Sequence, residues 1–172
     1  MTNLQSHNFR RSWTVWLSVG CGLGLIPKAP GTWGSLLGLP IAWGLQQTPW
    51  PLLANGVGAV VLFLLGIPIC GAGAQHFQTK DPKQVVFDEI AAFPIVFLLI
   101  PMNWWTIPLG FALFRLFDIA KPGPIRTLDN LNGGLGIMAD DTLAGVFAAA
   151  VLVGVYALTG GPFVSMIAPL NQ

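Results

Sequence analysis

The chain has 172 residues, with eight basic and seven acidic side chains, a net charge of +1, and only 9% charged residues. Ordinary soluble domains carry roughly 25%, so a charge-studded soluble surface is excluded, and the near-neutral balance gives no basis for a nucleic-acid partner. The charge is also unevenly placed: every Asp, Glu, Lys and Arg lies within Arg10–Lys28, Lys80–Glu89 or Arg115–Asp141, and the intervening segments have none.

Taken in chain order, the sequence predicts a single all-α domain over residues 1–172 that enters a lipid bilayer. Met1–Ser12 is a polar tail without the cleavage-site pattern of a signal peptide. Trp13–Ile26 is apolar and Gly-rich but would reach only about 20 Å as a helix, so an interfacial or half-inserted helix is expected. Pro27–Thr32 reads as a loop, with Thr32 or Ser35 capping a helix over Ser35–Leu45. Leu52–Ala74 is uncharged and long enough to span. Ile90–Ile100 and Thr106–Phe117, separated by Pro101–Trp105, are each too short to cross and predict a re-entrant hairpin with two Trp at its tip. Lys121–Met138 reads as a loop. Asp140-Asp141 is expected to start a final apolar helix, Thr142–Gly160, with Ala144, Gly145 and Ala148 as a small-residue packing face. Cys21 and Cys70 both read as small buried hydrophobes. All eight basic residues fall in the three charged stretches, so the positive-inside rule places those stretches together on the cytoplasmic side.

Six of the seven carboxylates border apolar segments: Asp88, Glu89, Asp118, Asp129, Asp140 and Asp141. Helix capping accounts for one acid per helix, but not for two adjacent pairs plus an Asp at a third helix end. The alternative is a divalent-cation site, because Mg²⁺ takes oxygen ligands from one or two carboxylates, water and substrate phosphate. Arg115 stands one helical turn before Asp118, and Lys121 and Arg126 follow. These are suited to phosphate oxygens or, failing that, to pairing with the acids and lipid headgroups. The turn PGTWGS before a helix is a weak anion-cradle signal.

Other phosphate chemistries lack their residues. Neither Cys has an Arg six positions on, no D-x-D-x-T/V segment is present, His7 and His76 lie outside the acidic clusters, and there is no Cys/His set for zinc.

The segments PKAPGTWGS (Pro27–Ser35), VFDE (Val86–Glu89), FRLFDIAKPGPI (Phe114–Ile125) and GIMADDTLAG (Gly136–Gly145), in this order and spacing, resemble the phosphatidylglycerophosphatase A family. The resemblance runs from about Leu23 to Gly145. Ala91-Ala92 departs from it, since many members carry a Gly soon after the DE pair. It implies a Mg²⁺-dependent integral-membrane enzyme that hydrolyses phosphatidylglycerophosphate to phosphatidylglycerol and phosphate, at the cytoplasmic face of a bacterial inner membrane. Carried over by position, the DE pair is Asp88-Glu89, the motif Arg, Asp and Lys are Arg115, Asp118 and Lys121, and the DD pair is Asp140-Asp141.

The combined expectation has Glu89, Asp118, Asp140 and Asp141 holding Mg²⁺, with Asp88 close behind. Arg115 and Lys121, with Arg126 and Lys28, would neutralise the phosphomonoester, and Thr32 would donate a hydrogen bond to it. Asp88, Glu89, Asp118 and Asp141 are the expected catalytic acids. Direct attack by water and a phospho-aspartate route both remain open, with the former favoured. A small transporter with its acids as an ion site is the competing class, but no acid lies midway through an apolar segment. A lipid-binding assembly factor would leave the DE and DD pairs without a role.

Overall fold

The computed structural model describes residues 12–123, 125, 131 and 133–159. The polar tail up to Arg11, the uncharged tail from Gly160 on, Asp129 and the expected phosphate ligand Arg126 lie outside the described residues. The described regular structure is entirely helical.

A short helix α1 (Trp13–Ser18) runs into a 3-10 segment, Gly20–Leu25, kinked where Cys21 and Gly22 have φ of 55° and 103°. The Trp13–Ile26 stretch is therefore two short pieces and not one helix. The kink also turns Cys21 outward, so it is exposed, contrary to expectation, while Cys70 is buried as expected.

Helix α2 (Pro30–Gln46) begins five residues earlier than the sequence suggests. Pro30 occupies its first turn, where the missing N–H costs nothing and the fixed φ is already helical. Ala29, at φ 49° and ψ 56°, swings the chain into it. Thr32 and Ser35 thus lie inside α2, and neither side chain caps it.

Helix α3 (Pro51–Phe77) is the longest element. It closes on Gln78 in the left-handed region, with Gln78 N–H donating to Gln75 O and Thr79 N–H to Ala74 O. This is the paired terminal bonding usually built on glycine.

Helices α4 (Phe87–Val96) and α5 (Thr106–Ala120) follow, and α6 (Gly134–Leu158) completes the bundle. Helix α6 starts well before the acidic pair, so Asp140 and Asp141 sit about two turns inside it and cap nothing. The early start has a packing cause: Gly134 lies directly against the Ile67 carbonyl and Gly71 of α3, where any side chain would collide.

Helices α3 and α6, with 27 and 25 residues, are long and apolar enough to cross a membrane. At about 1.5 Å per residue both exceed the ~30 Å hydrocarbon core. Their outer faces are apolar and open, with Leu53, Val57, Val60, Leu64 and Leu65 of α3 all more than half exposed. Such a face suits lipid and would be an aggregation hazard in water. Helices α4 and α5 are too short to cross individually.

The core is where α4, α5 and α6 meet. Phe93 stacks near Phe97 and contacts Phe111 and Phe114, and Ala144, Ala148 and Leu152 of α6 are fully buried against this cluster. The predicted small-residue face is the one used: Gly145 would place a Cβ only 3.3 Å from the Ala92 carbonyl. Helix α4 packs on α2, α3 and α6 together and is the centre of the bundle.

At one end of the bundle, Gln46 closes α2 onto the α4–α5 turn. Its Nε2 donates to Phe97 O and Ile100 O at 2.8 and 2.9 Å, and its Oε1 accepts from Met102 N–H at 2.8 Å. Trp105 in that turn stacks on Tyr156 near the end of α6, while Trp104 is almost fully exposed. The opposite end gathers charged residues from the second and third charged stretches.

Gln46→Ala should therefore lower stability by about 2 kcal/mol, because it orphans two carbonyls and an N–H. Activity per folded molecule should not change, since α2 separates the two ends by roughly 24 Å. Thermal melting in detergent alongside activity checks both parts.

Candidate active site

The charged end holds a cleft of about 240 Å³. Its walls come from the loop entering α2 (Ala29–Gly31), the segment from Asp81 through the start of α4 (Asp88, Glu89), the end of α5 (Arg115, Asp118, Lys121), and α6 (Asp140, Asp141). All five carboxylates proposed for chemistry thus line one space, along with two of the proposed bases.

Each is positioned by its helix. Asp88 and Glu89 occupy the first turn of α4, and Asp88 is buried. Arg115 and Asp118 are one turn apart on α5, and the helix terminates at Lys121, which adopts φ 42°. Glu89 lies against the first turn of α2, where a Cβ on Gly31 would overlap its carboxylate. Glycine at 31 thus lets a carboxylate reach the positive end of a helix.

Basic groups neutralise these acids in pairs. Arg115 Nη1 lies 2.9 Å from Glu89 Oε2 and 2.8 Å from Asp118 Oδ2, tying α5 to α4. Lys121 Nζ lies 2.6 Å from Asp140 Oδ2 and 3.9 Å from Asp81 Oδ2. Asp140 Oδ1 accepts from the Asp141 N–H at 3.0 Å. Ser35 Oγ donates to Glu89 Oε2 at 2.7 Å and accepts from Arg115 Nη1 at 3.4 Å.

Burial perturbs the DE pair. Desolvation raises the Glu89 carboxyl to about 7, and Arg115 and Ser35 only partly offset it. Desolvation, reinforced by the neighbouring Glu89 charge, holds Asp88 well above the usual carboxylate range. Asp88 Oδ1 is buried without a hydrogen-bond partner.

A hard divalent cation fits the donor chemistry: several carboxylates, an unsatisfied buried oxygen and no competing His or Cys in the walls. As the side chains stand, no group of three or more His, Cys, Asp or Glu is arranged to hold an ion among the described residues. Arg115 and Lys121 occupy positions between the acids instead.

The arrangement is that of a small cleft lined by acids and bases, open at the polar end of an apolar bundle. Residues 16–156 match the family model described as Phosphatidylglycerophosphatase A.

The chain belongs to the phosphatidylglycerophosphatase A family.

It is 38% identical to the Phosphatidylglycerophosphatase A of Escherichia coli (strain K12) over 138 residues, 79% of each chain. It is 41% identical to that of Haemophilus influenzae over 144 residues, 81% of this chain and 86% of the relative. A Bacteroides thetaiotaomicron protein named "Putative phosphatidylinositol-3-phosphatase" is 39% identical over 140 residues, 78% of this chain and 87% of that one. No solved structure matches the chain. Like the two relatives named for it, this member of the phosphatidylglycerophosphatase A family is a phosphatase.

Two residues assigned to substrate stand apart from the cleft. Lys28 is exposed on the loop just before the cleft wall, and Thr32 is half-buried in the first turn of α2, its N–H donating to Ala29 O. Two residues given no such role are drawn in. Asp81 reads as a plain loop acid, and no sequence signal marks it; the turn that ends α3 delivers it to Lys121. Ser35 reads as a cap until the true start of α2 is known. It then falls four residues after Gly31, on the glycine face that packs on α4.

The Glu89 shift has a definite sign in the metal-free protein. The folded state holds its proton more tightly than the unfolded chain, whose ordinary value is 4.5. The resulting stabilisation is complete below that value and is lost as pH rises through about 7. In chelator, the melting temperature should fall between about pH 5 and pH 8, and Glu89→Gln should flatten that slope.

Proposed function

We propose that this protein hydrolyses the terminal phosphomonoester of phosphatidylglycerophosphate, releasing phosphatidylglycerol and inorganic phosphate, with Mg²⁺ bound. The reaction would take place at the cytoplasmic face of a bacterial inner membrane and serve phospholipid biosynthesis. The observation that carries this reading is one cleft, at the charged end of an apolar bundle, lined by six carboxylates together with Arg115 and Lys121. Membership of the family supports the substrate class, and the confinement of the basic residues to the three charged stretches of the sequence, with Lys83, Arg115 and Lys121 at the cleft, supports the orientation.

Glu89, Asp118, Asp140 and Asp141 would hold the ion. When bound, Mg²⁺ supplies positive charge for the phosphoryl oxygens and makes water easier to deprotonate. The remaining work falls to the chain. Arg115, released from bridging Glu89 and Asp118, presents its planar fork to two phosphate oxygens. Lys121 leaves Asp140 and adds a point charge on the other side. Asp88, ionised once a bound cation offsets the cost of its burial, would accept a proton from the attacking water at the unpartnered Oδ1. The water oxygen bonds to phosphorus as the ester P–O bond breaks, and the departing glycerol oxygen leaves with the electron pair and takes up a proton. Positioning and charge neutralisation dominate such a transfer. The open apolar faces of α3 and α6 keep the lipid's acyl chains in the bilayer beside the cleft.

Purified protein in detergent should release phosphate from phosphatidylglycerophosphate, stop in chelator, and recover with Mg²⁺. Release indifferent to chelator would contradict the metal role. Asp141→Asn should reduce turnover by at least about 100-fold with an unchanged melting profile. Offered phosphatidylinositol 3-phosphate in parallel, the enzyme should favour phosphatidylglycerophosphate; the opposite preference would reassign the headgroup.

A further inference from the structure

We propose that Ser35 is a positioning residue for this site, setting the orientation of Glu89 and Arg115 from inside α2. The assignment rests on the phosphatase reading above, but its geometry is independent of the lipid's identity.

Ser35 is completely buried, yet it lies in the interior of a helix, where a serine commonly turns its hydroxyl back to the carbonyl four residues earlier. Here the hydroxyl leaves its own helix. It donates to Glu89 Oε2 at 2.7 Å on α4, and its oxygen lies 3.4 Å from Arg115 Nη1 on α5. The same Glu89 oxygen also receives Arg115 Nη1 at 2.9 Å. One serine oxygen, one carboxylate oxygen and one guanidinium nitrogen from three different helices thus form a closed triangle.

This triangle does something the ion pair alone does not. A carboxylate facing a guanidinium can slide between several near-equal pairings, because Arg115 also holds Asp118 at 2.8 Å. Ser35 removes that freedom by fixing Glu89 Oε2 from a rigid helix. The other carboxylate oxygen is then left toward Gly31, whose missing side chain makes room for it. Arg115, aligned at one nitrogen, keeps the rest of its fork available. Partners of this kind, which act through the groups they orient, typically contribute about 10- to 100-fold to affinity or activity.

The sequence offers alanine as a clean probe. Ala is smaller and a better helix former than Ser, so Ser35→Ala has no route to misfolding through propensity or crowding. The expected result is a loss of about 10- to 100-fold in kcat/KM per folded molecule, with only the modest fall in melting temperature that one lost buried hydrogen bond brings. Ser35→Thr, which keeps the hydroxyl, should recover most of the activity. Binding of inorganic phosphate by calorimetry should weaken in Ser35→Ala in the same direction. Wild-type turnover in Ser35→Ala, or a loss fully explained by the unfolded fraction at the assay temperature, would overturn the assignment. If wild-type protein releases no phosphate from the lipid, the substrate reading fails. The comparison of phosphate binding between wild type and Ser35→Ala still decides the role of Ser35.

Discussion

The structure is organised around the burial of like charges. Asp88, Asp140 and Asp141 are more than nine-tenths buried, with Glu89 and Asp118 close behind, at the end of a bundle whose other segments carry no charge. Carboxylates removed from water repel one another and lose hydration, so they persist only with compensation on the spot. Arg115 and Lys121 provide part of it by bridging helices. Burial outweighs that compensation, so Glu89 and Asp88 hold protons more tightly than free carboxylates, and Asp88 Oδ1 is left without a partner. Such a site, short of positive charge and walled by oxygen donors, has the chemistry that the proposed cation and phosphate would complement.

That requirement explains the otherwise odd architecture. Helix α4 has only ten residues, but it sits between α2, α3 and α6, and its first turn carries the DE pair. To bring Glu89 within reach of α5 and Ser35, α2 must approach α4 with almost nothing between their backbones. Gly31, Gly34 and Gly38 form the face that permits this. On the other side, Ala92 meets Gly145 of α6, which carries the DD pair about one turn earlier. Ala91 and Ala92 are both buried, and Ala92 is the residue that lies against Gly145. At the far end, Gln46 and the Trp105–Tyr156 stack hold the same helices together without charge.

Much of this was legible in the sequence because lipid imposes simple rules. A long uncharged run must be helical in a bilayer, since no other backbone arrangement satisfies its own hydrogen bonds there except a closed barrel. The α3 span and the apolar half of α6 follow from that. The pairing of Arg115 with Asp118 follows from helical spacing, and the structure shows it. The starts of α2 and α6 were not legible. They depend on Pro30 and Ala29 turning together and on Gly134 docking against α3, which are contacts between distant segments. Misplacing those starts is what made Ser35, Asp140 and Asp141 look like caps.

The sequence by itself determined the class of the protein: an apolar helical framework, charge confined to three stretches, and the residue types needed to meet a metal ion and a phosphate. Those properties are fixed by composition and order, because the cost of charge in lipid does not depend on the details of packing. Only the tertiary structure decided which charged groups share a cleft. It admitted Asp81 and Ser35, left Lys28 and Thr32 at the margin, and set Arg115 and Lys121 between the acids. Those outcomes depend on helix ends and glycine contacts accurate to an ångström or two, and no pattern within a single segment encodes them.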